Sequence, residues 1–379
     1  MFFKILAKDK NTQARTGEIT TPHGSFQTPV FMPPGTKATV KTLTPAQLKE
    51  AKVEIVLCNA YYLSLRPGIE IIKKMGGLHK FMGWSGPILT DSGGYQVFSL
   101  SAPRSKNPRL VRITDDGVEF RSYIDGASVF FTPERVMEIQ EALGSDIVMP
   151  FDQPVPYPCE YEMAKRAMER TIDWVRRSRL VKKRDDQVLF GIIQGGTFPD
   201  LRRQCLEQLE ELNFPGYAFG GLSVGEGSEK MKEALESTVS DVPDNKPRYL
   251  MGVGLPRDIL EAVRLGVDMF DCVLPTRNGR NSWGFVDPSS EMPEGILRLK
   301  NSNYKEDDQP IDRNCGCYTC RNFSRAYLRH LFNSEEILGL SLMSLHNLYY
   351  FETLMERIRE SIKSGKFDLF YKKFAAEGA

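Results

Sequence analysis

Along residues 30–272 of this 379-residue chain, eight short apolar runs alternate with helical stretches, and few folds accept that rhythm. The runs are Val30 to Pro33, Ile55 to Asn59, Pro87 to Asp91, Ile147 to Asp152, Leu189 to Gln194, Tyr217 to Gly221, Tyr249 to Gly252 and Val267 to Cys272. Each is β-prone or wholly apolar and is bounded by Gly, Pro or polar residues, the pattern of buried parallel strands. Between them lie helix signals. Thr132-Pro133-Glu134 sets an N-cap before a Pro at the first helical position, and Gly144 closes the helix Glu134 to Leu143. Glu160 to Lys183, Pro199 to Leu212, Ser228 to Val239 and Pro256 to Leu265 follow. Such alternation predicts an α/β chain folded as a (β/α)8 TIM barrel, in preference to a doubly wound sheet.

Two regions interrupt the alternation. Residues 1–29 read as an N-terminal hairpin with turns at Thr16-Gly17 and His23-Gly24. Residues 109–131 carry Asp115-Asp116-Gly117 and Asp125-Gly126 between β-prone runs, and read as an inserted β-meander. Past the eighth run, residues 275–322 turn rich in Gly, Asn, Pro and charge, and helices follow near 323–333 and 346–364. The expected division is a barrel over 1–274, a metal-binding subdomain over 275–350, and a C-terminal helix over 351–379 that packs back on the barrel.

Composition narrows the class. Hydrophobic residues are 41% and charged residues 26%, which excludes a disordered or collagen-like chain. No apolar run reaches the roughly 18 residues of a membrane span. The N-terminus meets charge at Lys4, too soon for a secretory signal, so the expected location is the cytoplasm. With 50 basic and 49 acidic residues the net charge is +1, which argues against bulk nucleic-acid binding but leaves room for a local patch.

Three of the seven Cys form one cluster, Cys315-Gly316-Cys317-Tyr318-Thr319-Cys320. In a reducing compartment this spacing points to a metal before a disulfide. A closed tetrahedral zinc needs a fourth ligand, which His330 or His346 could supply. His346 is preferred here, because it is read at the start of a last helix, after a turn-like Ser341 to Ser344, where the chain can fold back. Three thiolates and an imidazole leave no place for a reacting water, so the site is read as structural.

In a β/α barrel the chemistry sits where strands end. Here the ends carry Asp91-Ser92-Gly93-Gly94-Tyr95-Gln96, Asp152-Gln153, Gln194-Gly195-Gly196, Gly220-Gly221-Leu222 and Phe270-Asp271-Cys272. Three carboxylates and an amide thus converge on one face. Glycine pairs allow close backbone approach to a ligand, although each pair alone is equally a tight turn. Neither a phosphate-binding G-x-x-x-x-G-K-[ST] nor a metal-binding His-x-His is present. Two carboxylates facing one anomeric carbon suit glycosyl transfer, one attacking while the other moves protons. A third carboxylate with an amide can read a purine edge, and Tyr95 can stack on it.

These residues resemble a known family. Asp91 to Ser99, Gln194 to Gly196, Gly220-Gly221-Leu222-Ser223-Val224-Gly225-Glu226, Tyr249 to Gly254 and Phe270 to Arg277 are similar to the motifs of the tRNA-guanine transglycosylases, or queuine tRNA-ribosyltransferases. Leu274 to Asn281 is similar to the bacterial form, and the likeness runs from about residue 4 to about residue 370. The resemblance implies a (β/α)8 barrel with one structural zinc on Cys315, Cys317, Cys320 and His346. It implies exchange of the wobble guanine of G-U-N anticodon tRNAs (those for Asp, Asn, His and Tyr) for 7-aminomethyl-7-deazaguanine, the queuosine precursor. Asp271 would be the nucleophile and Asp91 the general acid/base. Asp152, Gln194, the Gly221 amide and the Leu222 carbonyl, with Glu226 behind it, would hold the base between Tyr95 and Met251. Arg277 and Arg280 would hold the flanking nucleotides. A homodimer is implied, with an aromatic patch matched here by Phe323, Tyr327 and His330, read as one helix face.

Some positions depart from the family. Gln153-Pro154 stands where bacterial members usually have Glu-Cys, which leaves queuine as the alternative incoming base, while Val224 matches the precursor-using form. Tyr62 replaces the usual His, and Asn59 remains in place to support Asp91. Two further basic stretches, Arg104 to Arg112 and Arg176 to Arg184, are candidates for phosphate contact, the second reading better as a solvated helix face. A small-molecule barrel hydrolase and a non-catalytic RNA-binding subunit are the rival classes. The Arg277/Arg280 pair argues against the first, and the presence of Asp91 and Asp271 against the second.

Overall fold

Each of the eight apolar runs forms a strand, and the strands pair in chain order into a closed parallel barrel. The computed structural model describes residues 1–101, 111–290 and 292–377. The barrel strands are Val30–Met32, Val56–Asn59, Ile88–Asp91, Ile147–Val148, a fifth in two pieces, Tyr217–Phe219, Arg248–Leu250 and Met269–Asp271. The fifth changes partner at Phe190. Val188–Leu189 pairs with the fourth strand and Gly191–Ile193 with the sixth. The eighth strand returns to the first, Met269 opposite Val30 and Asp271 opposite Met32. The seam between first and second strands is a single bridge, Pro34 to Leu57, because Pro33 and Pro34 have no N–H to donate. Past the short fourth strand the buried amide of Gln140 brackets the backbone of Met149, accepting its N–H at 3.1 Å and donating to its carbonyl at 2.8 Å, while the same N–H also reaches the Thr90 carbonyl of the third strand at 3.2 Å.

The helices follow the sequence signals closely. Thr132 caps the helix Pro133–Leu143 by accepting the Arg135 N–H, and Gly144 ends it with φ of 72°. The helices Tyr161–Val181, Pro199–Glu210, Gly227–Glu236 and Pro256–Arg264 ring the barrel. Antiparallel strands Val111–Ile113, Val118–Arg121 and Ser128–Phe131 form the inserted meander. Of the basic stretch Arg104 to Arg112, residues 104–110 lie outside the described residues.

The N-terminal expectation needs correction. Three strands, Phe3–Lys8, Arg15–Thr21 and Gly24–Thr28, form a sheet where one hairpin was read. Thr16-Gly17 is not a turn but lies inside the second strand. Gly17 is there for space: a Cβ would sit 2.3 Å from the Phe3 ring, which packs over it. This sheet is bolted to the barrel floor by Arg15, whose guanidinium grips the Asp268 carboxylate through two bonds of 3.0 and 2.7 Å. The same guanidinium donates to the carbonyls of Asp244 and Lys246.

Beyond the barrel, the hairpin Trp283–Phe285 with Ile296–Arg298 and the helices Tyr318–Asn322 and Arg325–Asn333 enclose a second small core that includes Leu297, Ile311, Leu328 and Met343. The last long helix corrects a second expectation. It begins at Ile337 and runs to Lys363, so Ser341 to Ser344 is helical and His346 lies well inside it. The small residue at 344 has a packing reason. Gly279 crosses the helix there, so closely that a Cβ on it would meet the Ser344 backbone at 2.9 Å. Among the described residues no helix is long and apolar enough to cross a membrane.

The Arg15–Asp268 pair yields a stability test. Asp268→Ala leaves the buried guanidinium with only the solvent-exposed Asp244 carboxylate at 3.6 Å, and is expected to cost about 3 kcal/mol in urea unfolding. A loss below about 1 kcal/mol would show that the two backbone carbonyls and Asp244 suffice to hold Arg15.

Candidate active site and metal centre

The barrel's strand ends bring the polar candidates to one mouth. Asn59 and Asp91 are the last register pair of the second and third strands. The Asn59 amide donates to Asp91 Oδ2 at 2.7 Å, and the Gly93 N–H donates to Oδ1 at 2.5 Å. Asp152 is buried and accepts from Gln194 Nε2 at 2.7 Å and from the Ser92 hydroxyl at 3.3 Å. Asp271, at the end of the eighth strand, accepts the Tyr249 hydroxyl at 2.6 Å and the Gly252 N–H at 2.9 Å. Both bonds fall on Oδ1, and no described residue donates to Oδ2.

Burial pushes all three carboxyls upward, because charge is poorly solvated there. Asp91 rises to about 7, with the negative charges of Asp152 and Asp271 adding to burial. Asp152 rises to about 6, opposed by its Gln194 and Ser92 donors. Burial also raises Asp271, while Tyr249 and Gly252 pull it back toward the ionised form. Asp91 is therefore a carboxyl that can hold a proton near neutrality.

Two glycines make this crowding possible. A Cβ on Gly94 would lie 2.3 Å from Asp152 Oδ1, and one on Gly221 would lie 2.3 Å from Gln194 Oε1. Gly221 also has φ of +66°. These glycines nest protein side chains as well as leaving the mouth open. Next to Gly221, Glu226 accepts the N–H groups of Ser223 and Val224, the latter at 2.8 Å. In a trans peptide the carbonyl opposes the N–H, so the Leu222 carbonyl points away from Glu226. Tyr95 is exposed at the start of the helix Gly94–Ser101, and Met251 follows the seventh strand, half-buried.

Arg277 and Arg280 lie on the helix Leu274–Arg280 that follows Asp271. Arg280 donates to the Thr276 carbonyl at 2.9 Å. Burial, then the nearby Arg277 charge, holds its pKa below the ordinary value. Among the described residues neither arginine has an acidic partner, so this helix presents uncompensated positive charge. By contrast, Arg177, on the helix Tyr161–Val181, is engaged by Glu134, as expected of a solvated helix face, and Arg184, past the end of that helix, is engaged by Asp186.

The cysteine cluster meets His346, and the four ligand atoms lie within 4.8 Å of one another. His346 Nδ1 stands 3.6, 3.6 and 3.3 Å from the sulfurs of Cys315, Cys317 and Cys320. A tetrahedral zinc with Zn–S near 2.3 Å and Zn–N near 2.0 Å has S···N edges of about 3.5 Å. The other ring nitrogen, Nε2, donates to the Phe285 carbonyl at 2.8 Å, which turns the Nδ1 lone pair toward the sulfurs. The donor set and its spacing fit a closed metal site. His330 is exposed on the helix Arg325–Asn333 and is not part of it.

The family model for queuine tRNA-ribosyltransferase matches residues 9–378. A queuine tRNA-ribosyltransferase of Desulforamulus reducens is 54% identical over 96% of this chain and 95% of its own length. One of Caldanaerobacter subterraneus is 54% identical over 98% and 96%. One of Dictyoglomus turgidum is 50% identical over 100% and 95%. The chain belongs to the queuine tRNA-ribosyltransferase family.

In this ribosyltransferase, then, Asp91, Asp152, Gln194 and Asp271 share the barrel mouth, and Cys315, Cys317, Cys320 and His346 share a second site. One placement differs from the sequence reading. Phe323 precedes the helix Arg325–Asn333, outside it, yet its ring stacks on Tyr327 at 5.3 Å. The residue that sequence reasoning passed over is Tyr249. A tyrosine inside a short buried strand must find a partner for its hydroxyl, and that was the available signal.

The metal site yields its own test. Cys317→Ala should lower the metal content measured by elemental analysis from about one ion per chain to near zero, since three ligands hold a structural ion poorly. Full retention of the ion in that variant would remove Cys317 from the ligand set.

Proposed function

We propose that this enzyme exchanges the wobble guanine of tRNAs with a G-U-N anticodon, those for Asp, Asn, His and Tyr, for 7-aminomethyl-7-deazaguanine during queuosine formation. The observation that carries the reading is a pair of carboxyls at one mouth, Asp271 with an oxygen to which no described residue donates and Asp91 with a proton held near neutrality. Burial raises both; Tyr249 and Gly252 oppose the rise at Asp271, and the charges of Asp152 and Asp271 add to it at Asp91, which reaches about 7. Asp271 Oδ2, without a donor, attacks the ribose C1′. The C1′–N9 bond breaks, its electron pair leaves with guanine, and Asp91 gives the proton that neutralises the departing base. The incoming base loses its N9 proton to Asp91, attacks C1′ and displaces Asp271. Two inversions retain the configuration, and the phosphodiester backbone is never cut.

Asp152 and Gln194 read the purine edge, and the Gly221 N–H meets its exocyclic oxygen. Tyr95 and Met251 cover its faces. The Leu222 carbonyl, turned away from Glu226, accepts from the aminomethyl group, and Val224 matches the precursor-using form. Arg277 and Arg280 take phosphates beside the exchanged nucleotide, which must leave its stack to reach C1′. One structural zinc on Cys315, Cys317, Cys320 and His346 would brace the polypeptide around this site. The same reading makes the enzyme a cytoplasmic homodimer joined near Phe323, Tyr327 and the exposed His330. It also divides the chain into a barrel (1–274), a zinc subdomain (275–350) and a C-terminal segment (351–379), with Ile337–Lys363 spanning the last two.

Labelled guanine should enter an unmodified G-U-N tRNA and be chased by 7-aminomethyl-7-deazaguanine. A chase by queuine alone would reverse the choice of base, and no exchange would sink the reading. Asp271→Asn should give no covalent RNA adduct on a denaturing gel, and an adduct that persists refutes the nucleophile.

The pH profile supplies another check. Exchange needs Asp91 protonated for departure, so kcat/KM should fall on the alkaline side with a midpoint near 7. It needs Asp271 ionised, so an acidic limb lies above the ordinary carboxyl value. In Tyr249→Phe the lost donor favours the protonated form of Asp271, so that limb should move to higher pH while the alkaline limb stays. An unmoved acidic limb would deny Tyr249 its part in tuning Asp271.

A further inference from the structure

Beside Asp91 the barrel mouth carries a second constellation that the exchange chemistry leaves unused. Lys37 is exposed on the loop after the first barrel strand. Its ammonium lies 5.4 Å from the Tyr62 ring centroid and 5.3 Å from that of Tyr123. The two rings meet edge to face at 5.8 Å and 71°. Tyr123 comes from the turn of the inserted meander, between Val118–Arg121 and Ser128–Phe131, and is 48% exposed. Tyr61, fully buried, backs both rings at 5.1 and 6.5 Å. The platform is tied to the chemistry through one side chain. Asn59 accepts the Tyr62 N–H at 3.1 Å and donates to Asp91 at 2.7 Å.

A cation between two tyrosines could serve only to staple the meander to the barrel. A staple of that kind gains by being buried and desolvated. This one is open, with Lys37 exposed and one ring half in solvent, and among the described residues Lys37 makes no ion pair. The barrel order places the first strand between the eighth, which leads to Arg277 and Arg280, and the second, which leads to Tyr62. Positive charge therefore continues around the mouth and ends on exposed aromatic rings. Interleaved cations and aromatics of this kind suit single-stranded RNA, with ammonium on phosphate and ring on base.

We propose that Lys37, Tyr62 and Tyr123 form a subsite for an unpaired RNA nucleotide flanking the exchanged one. Lys37 meets its phosphate, and the open face of Tyr123 stacks on its base. The subsite rests on the tRNA-exchange reading and extends its RNA-contacting surface from Arg277 and Arg280 past the first barrel strand.

The test uses the full chain and a stem-loop RNA bearing a G-U-N anticodon, with guanine exchange and RNA-binding anisotropy both measured. Tyr123→Ala should raise the KM for RNA about 5- to 100-fold with kcat and the KM for free guanine unchanged, and Tyr123→Phe should restore it. Lys37→Ala should weaken RNA binding and lower the slope of log Kd against log salt by about 0.7, the mark of one lost phosphate contact. RNA affinity within twofold of the parent in both variants, at an unchanged salt slope, overturns the subsite. If the parent chain binds the stem-loop but exchanges no guanine, the catalytic reading fails. The subsite then stands or falls on the two binding comparisons alone.

Discussion

Three carboxyls crowd the mouth of this barrel, and their mutual repulsion in a poorly solvated space is what the surrounding structure has to manage. They cannot all be ionised at low cost, so the proton must settle on one of them. Asp91 is pushed up to about 7 because it is buried and feels both of the others, even though the Asn59 amide and the Gly93 N–H hold it toward the anion much as Tyr249 and Gly252 hold Asp271. The asymmetry is made by neighbours, since the three side chains are chemically identical. Different protonation behaviour can thus arise within one residue type from its surroundings.

Such an arrangement tolerates little play, and the barrel limits it. Asn59 and Asp91 are fixed opposite each other by strand register, and Asp271 is fixed opposite Met32. Gly94 and Gly221 give up their side chains so that Asp152 and Gln194 can occupy the same few ångströms. Tyr249 reaches Asp271 from the adjacent strand. Every donor to the cluster belongs to the barrel wall or to the first residues after a strand, where packing holds position better than a long loop would.

What was legible in the sequence follows from the range of the forces involved. Strands buried on both faces announce themselves as apolar runs, and Thr132-Pro133 and Gly144 mark a helix by local backbone chemistry, so the barrel was readable. Gly17 was misread as a turn because its reason is the Phe3 ring on a neighbouring strand, a contact that no local pattern encodes. Ser341 to Ser344 looked like a break for the same kind of reason, since Gly279 crosses there from another helix. The three cysteines declared a metal site by spacing, but spacing left the fourth ligand open. It was the Phe285 carbonyl, remote in sequence, that oriented His346. The acidic cluster was readable as residue types at strand ends, whereas the burial that raises all three carboxyls, and the donors that oppose it, Tyr249, Gly252 and Gly93 among them, are visible only in three dimensions.

The metal site and the barrel mouth are distant in sequence yet mechanically joined, and the joint is Asn347. It follows the ligand His346 on the helix Ile337–Lys363. Its amide donates to the carbonyls of Pro275 and Trp283, each at 2.9 Å, and accepts the Phe285 N–H at 2.8 Å. Pro275 opens the helix that carries Arg277 and Arg280, four residues after Asp271. Phe285 is thereby gripped twice, its N–H by Asn347 and its carbonyl by His346. Holding His346 against three sulfurs therefore also fixes the start of the arginine helix, and Gly279 against Ser344 fixes its end. A closed Cys3His site has no open position for chemistry, but it can set where Arg277 and Arg280 stand relative to Asp271. That positional task explains why so compact a metal site belongs on the same helix that braces the barrel's first strand, where Arg359 donates to the Pro29 carbonyl at 2.9 Å.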